Sequence, residues 1–146
     1  MTAGLRADID AVMADWAYYI DHDDVDALMD LFTADARYVA GSASLHGKDE
    51  IAARYRARTR FGARSTRHVY SGLRLTEVTA ASVRATSTWT CYAANEPAPV
   101  QRAAVYLVAD FIDRLTYCDD ATWRIAERTI VEVFREPSLA PVSGPA

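Results

Sequence analysis

Three long stretches rich in β-branched and aromatic residues dominate the second half of the chain: Ser82 to Ala94, Ala103 to Tyr117 and Trp123 to Arg135. The connections between them hold turn residues, Asn95-Glu96-Pro97-Ala98-Pro99 in one and Cys118 to Thr122 in the other. A parallel crossover needs about a dozen residues or more, so strands joined this closely are antiparallel neighbours. A fourth strand is expected over His68 to Val78, with Gly72 marking a bulge or bend.

The first half has a helical texture. Leu5, Ile9, Val12, Met13, Trp16, Tyr19 and Ile20 form one stripe on a 3.6-residue helix. Asp23 or Asp24 is placed to cap a second, short helix carrying Val25, Leu28, Met29, Leu31 and Phe32. Ala36 to Ala40 reads as a strand, Gly41-Ser42-Ala43-Ser44 as a turn, and Asp49 to Arg60 as a third helix with Ile51 and Tyr55 on its inner face. The expected order is α-α-β-α-β-β-β-β. Helices packed across one face of a long, bent antiparallel sheet make an α+β cone with a cavity between the layers, a natural small-molecule site. Residues 1–136 are expected to form one domain. Residues 137–146, with three prolines and no periodicity, are expected to be a tail that is loose or lies along a neighbour.

Composition narrows the function. The chain has 146 residues, 51% hydrophobic and 25% charged, which suits an ordinary globular domain with a real core. Its net charge of −4 argues against nucleic-acid binding, which draws on positive charge. No apolar run reaches the ~18 residues of a membrane span. Residues 1–6 show no leader pattern, so a cytoplasmic location and free thiols at Cys91 and Cys118 are expected. The acidic run from Asp21 to Asp26 fails as a calcium loop, because its sixth position is Asp26 and its twelfth is Phe32. His22, His46 and His68 lack zinc spacing, and there is no nucleophile elbow, P-loop or dinucleotide fingerprint. No metal and no cofactor is expected.

Two groups of residues carry possible chemistry. Arg54, Arg56, Arg58, Arg60, Arg64 and Arg67 could face an anionic partner such as a phosphopantetheine carrier or coenzyme A, but read more simply as a solvated helix face and its following loop. Asp21 closes the first helix behind Trp16, Tyr19 and Ile20, His68 opens the first long strand, and Arg128 sits in the last one. That trio is the candidate catalytic set.

At these residues the sequence resembles the SnoaL-like branch of the NTF2-like superfamily. The resemblance is carried by Trp16-Ala17-Tyr18-Tyr19-Ile20-Asp21, Leu31-Phe32-Thr33-Ala34-Asp35-Ala36, Gly47, Thr66-Arg67-His68 and Trp123-Arg124-Ile125-Ala126-Glu127-Arg128, and it spans about Leu5 to Phe134. The branch includes scytalone dehydratase, hexachlorocyclohexane dehydrochlorinase, a bile-acid dehydratase and the β subunits of ring-hydroxylating dioxygenases. It implies the cone fold, an Asp21–His68 pair, and Arg128 on the pocket wall. The chain departs from it at Trp16 and Ile20, where members carry Lys or Tyr, and at Ala109-Asp110-Phe111-Ile112-Asp113, which stands for a G-x-Y-x-D phrase.

These residue types suit proton abstraction beside a carbonyl or a leaving group. His68 would be the base, Asp21 would fix its tautomer, and Arg128 would meet the developing anion. Trp16, Tyr19, Tyr38, Tyr55, Tyr70 and Trp89 are expected to line the substrate site, with Tyr19 or Tyr38 as proton donor. The expected activity is a cofactor-independent dehydratase, eliminase, cyclase or isomerase acting on a small apolar carbonyl or polyketide-like metabolite. The alternatives are a non-catalytic β-subunit-like scaffold and a small-molecule binding protein. The resemblance also implies a homodimer or homotrimer.

Overall fold

In a computed structural model, residues 3–144 are described. The final two residues of the expected tail lie outside that range.

Helix α1, Ala3–Asp21, buries Ile9, Val12, Met13, Trp16 and Ile20, the stripe that its sequence spacing dictates. The acidic turn after it contains Asp23 at φ +55°. Asp24 then caps α2, Val25–Met29, by accepting from the Ala27 amide at 3.1 Å. This second helix is shorter than the sequence suggests. Leu31 and Phe32 leave it because the chain turns at Asp30 and Phe32 opens β1, Phe32–Ala40.

The segment read as a turn over 41–44 holds more. Gly41, at φ +58°, makes a tight reversal, and β2, Ala43–His46, returns along β1. The order is therefore α-α-β-β-α-β-β-β-β. Helix α3, Gly47–Ala57, follows directly and buries Ile51, Ala52 and Tyr55.

The remaining strands are β3, Ser65–Thr76; β4, Ser82–Ala94; β5, Val105–Tyr117; and β6, Trp123–Arg135. Their sheet order is β2-β1-β6-β5-β4-β3, antiparallel throughout except where β1 runs parallel to β6. Along β4, burial alternates with the two-residue period of a sheet: Val83, Ala85, Ser87, Trp89, Cys91 and Ala93 point inward. Register breaks bend the sheet. One lies at Ser71/Arg74, where Gly72 takes φ +64°, as the glycine in that strand foretells. Two more lie between β5 and β6.

The core fills the space between helices and inner sheet face. Trp16 is its hub, meeting Tyr55, His68, Trp89 and Phe111 edge-on. After β6 the described part of the tail is tied down: Pro137–Leu139 forms a short 3₁₀ turn capped by Glu136, and the Leu139 and Ala140 carbonyls accept from Arg64 and Asn95.

Candidate active site

The site begins with a local conflict. A carboxylate at the C-terminal end of α1 opposes the helix dipole, so Asp21 is not placed there for the helix's benefit. Its oxygens instead reach β3. That strand is the outermost of the sheet, which leaves alternate backbone N–H groups without a strand partner. The His68 N–H is one of these, and it donates to Asp21 Oδ2 at 2.9 Å. The Thr66 hydroxyl donates to Asp21 Oδ1 at 2.8 Å, and His68 Nδ1 meets the same oxygen at 2.6 Å. Thr66 and His68, two apart on a strand, share its inner face.

Burial fixes the electrostatics of the pair. The two side chains are 5% and 10% exposed, Asp21 and His68 respectively. Burial pushes the Asp21 pKa up, but hydrogen bonds and charge from His68, with its backbone N–H and Thr66, outweigh this and leave it below the ordinary carboxylate value. For His68 burial is the largest influence and lowers the pKa. Asp21 opposes that, the nearby charges of Arg58 and Arg64 add to it, and the net value is below 6.5. The pair is thus an ionised carboxylate holding a neutral imidazole at pH 7. A carboxylate accepts, so Nδ1 carries the proton, and Nε2 is left as the unprotonated nitrogen of a ring that lines the cavity.

That cavity measures about 440 Å³. Its floor is aromatic, made by Trp16, Tyr38, Tyr55, Trp89 and Phe111. The Trp16 indole N–H donates to the Tyr55 hydroxyl at 3.1 Å. Tyr38 and Tyr55 stand ring to ring, 5.8 Å between centroids. Burial, with the neighbouring Tyr38, raises the Tyr55 pKa well above its usual value, so this phenol stays protonated. Cys91 also lines the cavity. Burial pushes its thiol up to about 11, so it is no thiolate nucleophile at neutral pH.

Arg128 occupies a different place from the one expected. It is fully buried and absent from the cavity wall. Strand register puts it directly opposite Asp113 on β5 and beside Tyr38 on β1. Its Nε and Nη2 donate to the two Asp113 oxygens at 2.7 and 2.8 Å, a bidentate pair that neutralises the charge. The guanidinium lies 4.8 Å from the Trp16 ring centre and 4.7 Å from that of Phe111, both of which do line the cavity. Arg128 therefore backs the aromatic floor, with its Nη1 buried and without a hydrogen-bond partner among the described residues.

Tyr19 and Tyr70 are also outside the wall. One helical step of about 100° separates Ile20, which lines the cavity, from Tyr19, which packs at the core's edge. Tyr70 stacks on Trp89 and bonds to Asp10 on α1.

Several wall residues escaped the sequence reading. Arg54, Arg58 and Arg64, expected on a solvated face, line the cavity. The signal was present: Arg54 and Arg58 flank Tyr55, four apart, beside the buried face of α3. Phe61, Tyr106, Leu107, Ile130, Glu132 and Arg135 add to the wall, and the tail closes one side with Ala140, Pro141, Val142 and Ser143. Asp113 was legible too, as the final residue of Ala109-Asp110-Phe111-Ile112-Asp113, in phase with inward-facing Ala109 and Phe111. Among the described residues, no three His, Cys, Asp or Glu side chains converge as a metal-ligand set.

Comparison with known proteins agrees with this architecture. A family model described as "SnoaL-like domain" matches residues 2–129. No curated protein matches the chain. Solved structures do. A proposed scytalone dehydratase from Novosphingobium aromaticivorans superposes with a TM-score of 0.77 at 17% identity, covering 97% of this chain and 89% of that one. ActVI-ORFA from Streptomyces coelicolor gives 0.79 at 19% identity, with 89% and 98% covered. A Catenulispora acidiphila protein in complex with S-DNPA gives 0.79 at 19% identity, with 90% and 95% covered. At these identities the structural likeness speaks for the fold.

Proposed function

The chain belongs to the SnoaL-like domain family, with its NTF2-like fold, and from that premise we propose that it is a cofactor-independent lyase or isomerase whose base is His68. The observation that carries the reading is the 2.6 Å contact between Asp21 and His68 Nδ1, at the wall of an aromatic cavity. The family supports a small-molecule dehydratase- or isomerase-type role, and the dyad supplies the particular chemistry.

The substrate is a small, largely apolar carbonyl compound of polyketide-like character. Nε2 of His68 takes a proton from the carbon next to the carbonyl. The electron pair moves onto the carbonyl oxygen to give an enolate. Asp21 stabilises the imidazolium that forms, without taking its proton. Tyr38 or Tyr55, on the floor, donates to the oxygen. The enolate then expels a β-hydroxyl, which leaves as water with the proton from the His68 imidazolium, or attacks a second carbonyl of the substrate to close a ring, the new alkoxide taking that proton, or takes the proton back at another carbon. An aromatic wall keeps solvent from quenching the intermediate.

The test is hydrogen–deuterium exchange at the α-carbon of an aromatic ketone panel, tetralones included, followed by NMR in D₂O. Wild-type protein accelerates exchange, and His68→Ala loses about 10²–10⁴-fold of that rate. Exchange by His68→Ala within a few-fold of wild type, or no acceleration of any ketone by the wild type, would overturn the reading.

A further inference from the structure

The cavity wall carries four arginines against one carboxylate. Arg135 is matched, since its Nη1 donates to Glu132 at 2.8 Å. Of the other three, only Arg58 has an ion pair among the described residues, and it is a long one. Arg54 is exposed and has no ion pair among the described residues. Arg58 is only 15% exposed, and its nearest carboxylate, Asp23, lies 3.9 Å away. Its hydrogen bonds go to neutral oxygens, the Ile20 carbonyl at 3.2 Å and the Thr66 hydroxyl at 3.4 Å. Arg64 likewise donates to neutral acceptors, Asn95 Oδ1 at 2.7 Å and the Leu139 carbonyl at 2.8 Å. Its Nε is buried with no acceptor.

Guanidinium groups in a concave wall with absent or distant carboxylate partners are costly, because desolvation and mutual repulsion act together. Burial and the charge of Arg58 both lower the Arg64 pKa. Such an arrangement persists where an anion completes it. Resting on the cavity being the substrate site, we propose that the substrate bears a carboxylate that Arg58 and Arg64 bind, which lays its apolar body over the aromatic floor beside His68. A carboxylate fits better than a phosphate-bearing carrier for two reasons. Arg58 sits within the wall, not on an open surface. A volume of about 440 Å³ suits a compact acid. Neutralising these charges also relieves their lowering of the His68 pKa, so binding strengthens the base.

Naphthylacetate and the uncharged naphthylacetamide test this by calorimetry on the full chain. The acid binds about 10–100-fold tighter than the amide, as charge-assisted hydrogen bonds require. Arg58→Gln and Arg64→Gln each erase most of that preference, with thermal unfolding confirming the fold, whereas Arg58→Lys retains it. Equal affinity for acid and amide, an undiminished preference in both Gln variants, or displacement of the acid by an equal concentration of coenzyme A would overturn the proposal. The catalytic reading fails separately. His68→Ala keeps the preference for the acid, so a preference present alongside His68-independent exchange strikes the acid–base role alone. His68-dependent exchange with no preference strikes the carboxylate alone.

Discussion

Asp21→Asn changes one atom, and the structure says what that atom decides. Three donors converge on the carboxylate: the Thr66 hydroxyl and His68 Nδ1–H on Oδ1, and the His68 backbone N–H on Oδ2. An asparagine offers one acceptor oxygen and one NH₂. The backbone N–H, 2.9 Å away, cannot rotate or give up its proton, so the amide oxygen must face it. The NH₂ then faces Thr66 and Nδ1. Threonine can rotate its hydroxyl to accept. The imidazole can accept only by moving its proton to Nε2, the nitrogen that must be free to act as base. The variant therefore holds the wrong tautomer, and it loses the charge that stabilises the imidazolium. Both effects fall on the transition state, so the α-exchange rate drops about 10²–10⁴-fold while KM stays within a few-fold. Stability falls too, by about 1–3 kcal/mol, as expected when hydrogen bonds to an ionised group are exchanged for neutral ones. Exchange kinetics with a saturating ketone and urea unfolding, run side by side, separate the two losses. A folded Asp21→Asn protein that exchanges within a few-fold of wild type would refute the reasoning.

Three further outcomes follow from the same geometry. Asp113→Leu and Arg128→Met should each destabilise the fold by about 3–5 kcal/mol, since each strands a buried partner, while the double variant Asp113→Leu/Arg128→Met should cost less than the two single losses added together; additive losses in urea unfolding would contradict the pairing. Cys91, with its thiol pushed to about 11 by burial, should resist iodoacetamide at pH 7 in the native state and react after unfolding; rapid native alkylation would show the thiol is not as the cavity holds it. The pKa values of His68 and Asp21 are both lowered by folding, so between each ordinary and lowered value the folded chain binds fewer protons than the unfolded one. Their stability contribution is complete above 6.5, is lost as pH falls from 6.5 through the lowered His68 value, and is lost again below 3.8 for Asp21. Urea midpoints of wild type and His68→Ala should diverge least in acid, and a contribution that grows on acidification would have the wrong sign.

Periodicity made the long elements legible. The α1 stripe and the alternation along β4 each bury one face, so the sequence repeats with the geometry. Strand β6 has the bounds expected, Trp123–Arg135. Strand β2 was hidden because four residues cannot establish a period; what makes Ala43–His46 a strand is its pairing with β1. The Asp21–His68 juxtaposition was accessible only through family resemblance, because the two lie 47 residues apart and meet where a helix end crosses a sheet edge. The same resemblance put Arg128 on the pocket wall, and the structure buries it behind that wall. Whether a buried charge faces a cavity or a counterion depends on register, and register sets Asp113 across from it. The wall arginines illustrate the reverse case: Arg54 and Arg58 carry the charge of surface residues, yet their spacing along α3 turns them toward the hollow beside Tyr55. Tyr19 and Tyr70 are aromatic residues in apolar company that fall one helical step, or one ring thickness, beyond the wall.

In the proposed mechanism His68 is a neutral base whose Nδ1 proton is held by Asp21 and whose Nε2 is free in the cavity. Nitrogen-15 NMR of the imidazole ring, assigned by comparison with His68→Ala, reads this directly at pH 7. The expected spectrum has one protonated nitrogen, Nδ1, with its proton shifted downfield by the short bond to Asp21, and one unprotonated nitrogen, Nε2. A proton on Nε2 with Nδ1 bare, or both nitrogens protonated at that pH, would contradict it.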